Sequence, residues 1–181
     1  MSKNTWTLFA GLVVTIVTAG CGQPTPAPTV ATSDPKATVA PAENKVLLHT
    51  KPADAKPVGE LRTSAADGAD VVILGRIGGD TNPWVEGRAA FTIVDTKLEP
   101  CKPEEGCPTP WDYCCSTDLI PANRAMIKFV DDVGETIEQD ARKLLGVKEL
   151  QTVVVQGKVK KDESGNLTVL ASGIFVVPET K

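Results

Sequence analysis

Three β-branched runs in this chain carry a glycine inside them: Val71-Val-Ile-Leu-Gly-Arg-Ile77, Thr152-Val-Val-Val-Gln-Gly-Lys-Val159 and Leu167-Thr-Val-Leu-Ala-Ser-Gly-Ile-Phe-Val-Val177. Such runs favour extended backbone. A glycine inside a strand packs no side chain, and it is kept where the sheet bends sharply or another backbone comes close. Glycines at positions 75, 157 and 173 therefore predict a strongly curved sheet, the kind that closes into a small barrel.

Two further runs, Ala89–Asp95 and Ala125–Asp131, add strands. Between the third and fourth strands, Glu135–Gly146 sets Ile137, Ala141, Leu144 and Leu145 on one helical face, with Gly146 as the stop. Lys160–Asn166 reads as a hairpin turn joining the last two strands. The order is three strands, a helix and two strands. With its internal glycines, this order resembles the OB-fold. The phrases VVILGRIGG and VVVQGKV resemble the first and fourth strands of OB domains related to the anticodon-binding type. The resemblance implies a mainly β domain over residues 58–181: a small five-stranded OB-like β-barrel with one helix between strands 3 and 4.

OB domains commonly take oligonucleotides or oligosaccharides on one sheet face. Nucleic acid is a polyanion and calls for a basic surface. From Val58 onward the chain has 14 Lys and Arg against 20 Asp and Glu, a net −6. A nucleic-acid partner is therefore not expected.

The N-terminus addresses location. Residues 1–20 open with Lys3, continue through an uncharged run from Trp6 to Val17, and end in small residues, the layout of a secretory signal. Thr18-Ala19-Gly20-Cys21 resembles the lipobox of bacterial lipoproteins, with Thr18 standing where that family most often has Leu. The resemblance implies acylation of Cys21, with palmitate-type chains holding the protein at a membrane, facing the periplasm or the cell exterior. Residues 21–57 are rich in Pro, Ala and Thr, too poor in large apolar side chains to offset chain entropy, and read as a disordered, semi-stiff tether. Val46-Leu47-Leu48-His49 is its one apolar patch, a candidate for docking on the domain.

Four of the five cysteines fall in one stretch, CKPEEGCPTPWDYCC, at Cys101, Cys107, Cys114 and Cys115. They lie in a long, proline-rich connection between the second and third strands, a length that is unusual unless functional. In an oxidising compartment, clustered cysteines are expected to form disulfides. A Cys114–Cys115 bond would need a strained ring, which leaves Cys101 and Cys107 each joined to one member of that pair. The alternatives are a thiolate site for zinc or copper and a reactive vicinal pair. Against them, the paired CxxC knuckles of structural zinc sites and the CxxC of exchange chemistry are both missing.

Catalysis is not expected. His49, the only histidine in the chain, lies in the tether, and no nucleophile with a base or phosphate-cradling loop is present. The expectation is an envelope lipoprotein that works as a binding or assembly module without a cofactor, toward an envelope protein or saccharide. Trp84, Trp111, Asp112 and Tyr113 are its candidate binding surface, since aromatic anchors dominate such interfaces. The rival expectation is a thiolate metal or redox protein built on the four cysteines.

Overall fold

The computed structural model describes residues 43–179. The signal segment, the lipobox with Cys21 and the tether as far as residue 42 lie outside them. Among the described residues no helix is long and apolar enough to cross a membrane.

The chain runs from a short helix α1 (Glu43–Val46) through β1 (Lys56–Pro57) and α2 (Val58–Ser64) into β2 (Asp70–Ile77) and β3 (Ala90–Val94). A long connection ending in α3 (Ile120–Asn123) leads to β4 (Arg124–Phe129), α4 (Ala141–Leu145), β5 (Thr152–Lys161) and β6 (Leu167–Val176). Strand β2 pairs with β3 and β5, β3 with β4, β4 with β6 in parallel, and β6 with β5. The ring closes, giving a five-stranded mixed barrel with a short helix between its third and fourth strands, as the OB-like reading expects. Closure requires β2 to serve two neighbours: Asp70–Arg76 faces Lys158–Thr152 of β5, while Arg76 and Ile77 also face β3.

Gly157 marks where the curvature is made. The β5–β6 register slips between Gln156 and Gly157, a bulge, and a Cβ on Gly157 would collide with the Leu170 carbonyl oxygen across the ladder. The barrel interior is filled by Phe91, Ile127, Phe129, Ile73 and Val155, all fully buried. Helix α4 covers it with Ala141, Leu144 and Leu145, and α2 with Val58 and Leu61.

Besides helix α2, which the sequence reading did not expect, two features differ from it. The helix expected over Glu135–Gly146 is confined to Ala141–Leu145. Upstream, Thr136 bridges Val130, the Ile137 N–H donates to the Phe129 carbonyl at 3.0 Å, and the Ala89 N–H donates to the Ile137 carbonyl at 2.9 Å. Those bonds hold Thr136 and Ile137 in extended pairing, and the helix starts only where the Asp140 side chain accepts the Arg142 N–H. The barrel's contacts also begin before the boundary expected at Val58. Leu47 bridges Ile174, the Leu48 N–H donates to the Ile174 carbonyl at 2.8 Å, and β1 adds in parallel to Ile73 and Leu74 of β2. Burying Val46 and Leu47 against the barrel gives this otherwise polar segment a reason to pack.

Candidate thiolate site

The connection between β3 and β4 leaves and rejoins the barrel at one point. The Asp95 N–H donates to the Asn123 carbonyl at 2.8 Å. The buried Asp95 carboxylate accepts the N–H of Gly59 at 2.8 Å and of Lys97 at 3.1 Å, tying α2 to the same base. Beyond it the chain forms tight 3-10 turns at Pro103–Glu105, Pro110–Asp112 and Cys114–Leu119.

Tyr113 organises these turns. It is fully buried and packs with Val94, Leu98 and Ile120 in a small cluster separate from the barrel core. Its backbone adopts the left-handed region at φ 57°, a conformation costly for a residue with a Cβ, so the packing of its ring must hold it there. Among the described residues its hydroxyl has no hydrogen-bond partner. Burial raises that hydroxyl's pKa, and the nearby Arg76 guanidinium only partly opposes the rise. With the ring turned inward, Cys114 and Cys115 are left exposed, and Cys101, on the opposite limb, lies buried beneath them.

The four sulfurs converge. Cys114 Sγ lies 3.2 Å from Cys101 Sγ and 3.2 Å from Cys107 Sγ, while Cys115 Sγ lies 3.7 Å from Cys101 Sγ and 3.9 Å from Cys114 Sγ. All four fall within 4.8 Å of one another. A tetrahedral zinc–thiolate centre with Zn–S bonds near 2.3 Å has sulfurs about 3.8 Å apart. The observed contacts bracket that value, and none of the four is joined in a disulfide. No histidine joins this group among the described residues, and His49 is exposed.

Backbone and carboxylate contacts fix the limbs. The Cys101 N–H donates to the Pro110 carbonyl at 3.2 Å. Asp112 accepts the Thr109 hydroxyl at 2.6 Å and the Cys114 N–H at 2.9 Å; the Thr109 bond is the main cause of its lowered pKa. Glu105 accepts the Lys102 N–H at 2.7 Å and stands 3.9 Å from Cys115 Sγ. Hydrogen bonding from Cys114 favours the Cys101 thiolate and lowers its pKa. The same kind of contact pushes Cys107 up, through Cys114, and Cys115 up to about 11, chiefly through Cys101.

Of the four aromatic and acidic residues expected at a binding surface, only Trp111 and Asp112 lie at the surface beside the thiols. The Trp111 indole N–H donates to the Thr81 carbonyl at 3.1 Å and its own carbonyl accepts the Gly79 N–H at 2.8 Å, so the glycine loop after β2 and the cysteine loop are joined here. Tyr113 is interior, as described. Trp84 is 6% exposed and belongs to the barrel core: its ring stands 5.6 Å from that of Phe91, its indole N–H donates to Glu149, and the Arg142 guanidinium lies 5.5 Å from its centroid. Both rings fill space that only a large apolar group fills well, which withdraws them from any docking surface. Thr109 and Glu105 were not singled out by the sequence; the Thr-x-x-Asp spacing of Thr109 and Asp112, that of a tight capped turn, was the available signal.

No family model matches this chain, and no curated protein matches it. Among solved structures, the chain is similar to an OBody, AM1L10, bound to hen egg-white lysozyme, with 12% identity over 72% of this chain and 98% of that one and a TM-score of 0.41. It is also similar to an aspartyl-tRNA synthetase from Leishmania major Friedlin, with 14% identity over 85% of this chain and 23% of that one and a TM-score of 0.38. Both likenesses are distant.

Proposed function

We propose that this chain is a lipid-anchored extracytoplasmic protein whose OB-like barrel carries a four-thiolate centre for one metal ion, and that the loop so organised serves binding or assembly at the cell envelope without catalysis. The observation that carries the reading is the convergence of Cys101, Cys107, Cys114 and Cys115 to separations suited to a single tetrahedral ion. Four sulfurs in that arrangement favour zinc, and thiolates also select Cu(I). The ion adds to the small Tyr113 cluster a second point of closure for a proline-rich loop, and it holds Trp111 and Asp112 in position for a protein or saccharide partner. The acidic domain argues against nucleic acid. The lipobox resemblance at Cys21 supports the anchor and a periplasmic or external location.

A second reading keeps the same loop but joins it by two disulfides. It is favoured by the close approach of Cys107 to Cys114 at 3.2 Å and of Cys101 to Cys115 at 3.7 Å, two pairs that need no vicinal bond. The test is metal analysis and thiol counting on the full chain. One zinc or copper per chain, with the four loop thiols reactive only after chelation, supports the metal centre. Four blocked thiols that take up no metal once reduced replace it with the disulfide reading. For the anchor, Cys21→Ser is expected to move the protein from the membrane fraction to the soluble one, and unchanged membrane association would overturn that part.

A further inference from the structure

We infer that metal and disulfides are alternative occupants of the same four sulfurs, and that a thiol–disulfide oxidant expels the ion by forming Cys107–Cys114 and Cys101–Cys115. This rests on the metal-centre reading above.

The geometry selects the pairing. Cys114 touches both Cys101 and Cys107 at 3.2 Å, so either is available to it. Cys115 has Cys101 as its near non-adjacent neighbour, at 3.7 Å. Giving Cys115 its contact assigns Cys101 to it and leaves Cys107 for Cys114. The converse, Cys101–Cys114 with Cys107–Cys115, forfeits the Cys115 contact. Joining Cys114 to Cys115 closes the strained vicinal ring. The sulfurs need to close by only about 1–2 Å to reach the disulfide length near 2.05 Å, so the loop need not unfold to oxidise.

Exposure sets the order of events. Cys114 is exposed and Cys107 half-buried, so an oxidant reaches this pair first, whereas Cys101 is 6% exposed and reacts through its partner Cys115. A cysteine thiolate attacks a sulfur of the oxidant disulfide, forming a mixed disulfide and releasing one oxidant thiolate. The second cysteine of the pair then attacks the mixed disulfide, closes the protein disulfide and releases the other oxidant thiolate. Each pair gives up two electrons. For both pairs, four protein thiolates and two oxidant disulfides become two protein disulfides and four oxidant thiolates, which take four protons from solvent, and the divalent ion leaves to water. The loop loses two net negative charges beside Glu105 and Asp112.

The experiment uses the full chain, reduced and loaded with zinc, and titrates it with oxidised glutathione while a chromogenic chelator reports free zinc. The expected result is one zinc released per two glutathione disulfides consumed. Cleavage after Glu105 separates Cys101 from Cys107, and electron-transfer fragmentation resolves Cys114 from Cys115. In Cys114→Ser, oxidation is expected to give Cys101–Cys115 with Cys107 as the alkylated free thiol. Zinc retained in the presence of oxidant, or a map of Cys101–Cys114 with Cys107–Cys115, overturns this inference and leaves the metal centre standing. A reduced chain that takes up no zinc overturns both.

Discussion

Gly78 lies directly beneath Trp111: a Cβ placed on Gly78 would stand 2.5 Å from the Trp111 carbonyl oxygen and 3.1 Å from the Tyr113 ring. The obstacle is backbone, which cannot swing aside as a side chain does, and the Gly78 φ of 153° adds strain for any larger residue. Gly78→Ala is expected to lower stability by about 2–3 kcal/mol through overpacking and strain, and to lower metal content because the cysteine loop is pushed off the barrel. Urea unfolding together with metal analysis checks both, and unchanged values would show that the loop does not rest on this contact.

Asp112 is a positioning residue for the sulfurs, holding the Cys114 N–H and the Thr109 hydroxyl together. Asp112→Ala is expected to weaken zinc binding by roughly 10–100-fold, the usual effect of losing support just outside a metal's ligands. Asp112→Asn keeps one amide oxygen as acceptor and should recover most of that loss. Competition with a chromogenic chelator measures the two variants; equal affinities for Ala and Asn would remove Asp112 from this role.

Asp140 makes stability depend on acid. Its carboxylate bonds the Arg142 guanidinium at 2.6 Å, and this holds its pKa at about 2. An unfolded Asp titrates near 3.9, so the folded state favours the charged form. The contribution is fully present above about pH 4 and is lost as pH falls toward 2. With Arg142 41% exposed, solvent screening reduces it to about 1 kcal/mol. Asp140→Asn, which keeps an oxygen for the helix cap, should be less stable than the wild type by about that amount at pH 6 and equal to it near pH 2. Unfolding curves at the two pH values settle the point, and a difference that persists at pH 2 would contradict it.

Trp84 supports the barrel and not the thiols. Trp84→Ala is expected to cost about 3–5 kcal/mol as a core truncation. Trp84→Phe keeps the packing on Phe91 but loses the Glu149 bond and the Arg142 contact, costing about 1–2 kcal/mol. Metal content per folded chain should be unchanged in Trp84→Phe. A drop in metal content there would show that the thiol site depends on Trp84.

The barrel was legible because its signals are local. Valine- and isoleucine-rich runs, the hairpin at Lys160–Asn166 and the glycine at the β5 bulge all act within a few residues of where they stand. What was missed depends on distant partners. Helix α2 has seven residues, contains Gly59 and lacks a side-chain cap of its own; its first turn is held by Asp95, 36 residues away. The expected helix from Glu135 lost its first half to backbone bonds with Phe129 and Ala89. The cysteine spacings alone did not show that four sulfurs would meet within 4.8 Å of one another, because the meeting depends on Tyr113, left-handed at φ 57°, which turns the chain just before Cys114. A tyrosine beside two cysteines gives no sign in sequence of whether its ring will face in or out.

The hydrogen bond from the Asp95 N–H to the Asn123 carbonyl closes the excursion at its neck, and the Tyr113 cluster packs it onto Val94 of β3. The β3–β4 register, Val94 against Arg124, is complete without residues 96–122, which are an addition bound to the outside of the barrel through Val94, Gly79 and Arg76. Length changes between Asp95 and Asn123 therefore leave the strand ladder itself as it is.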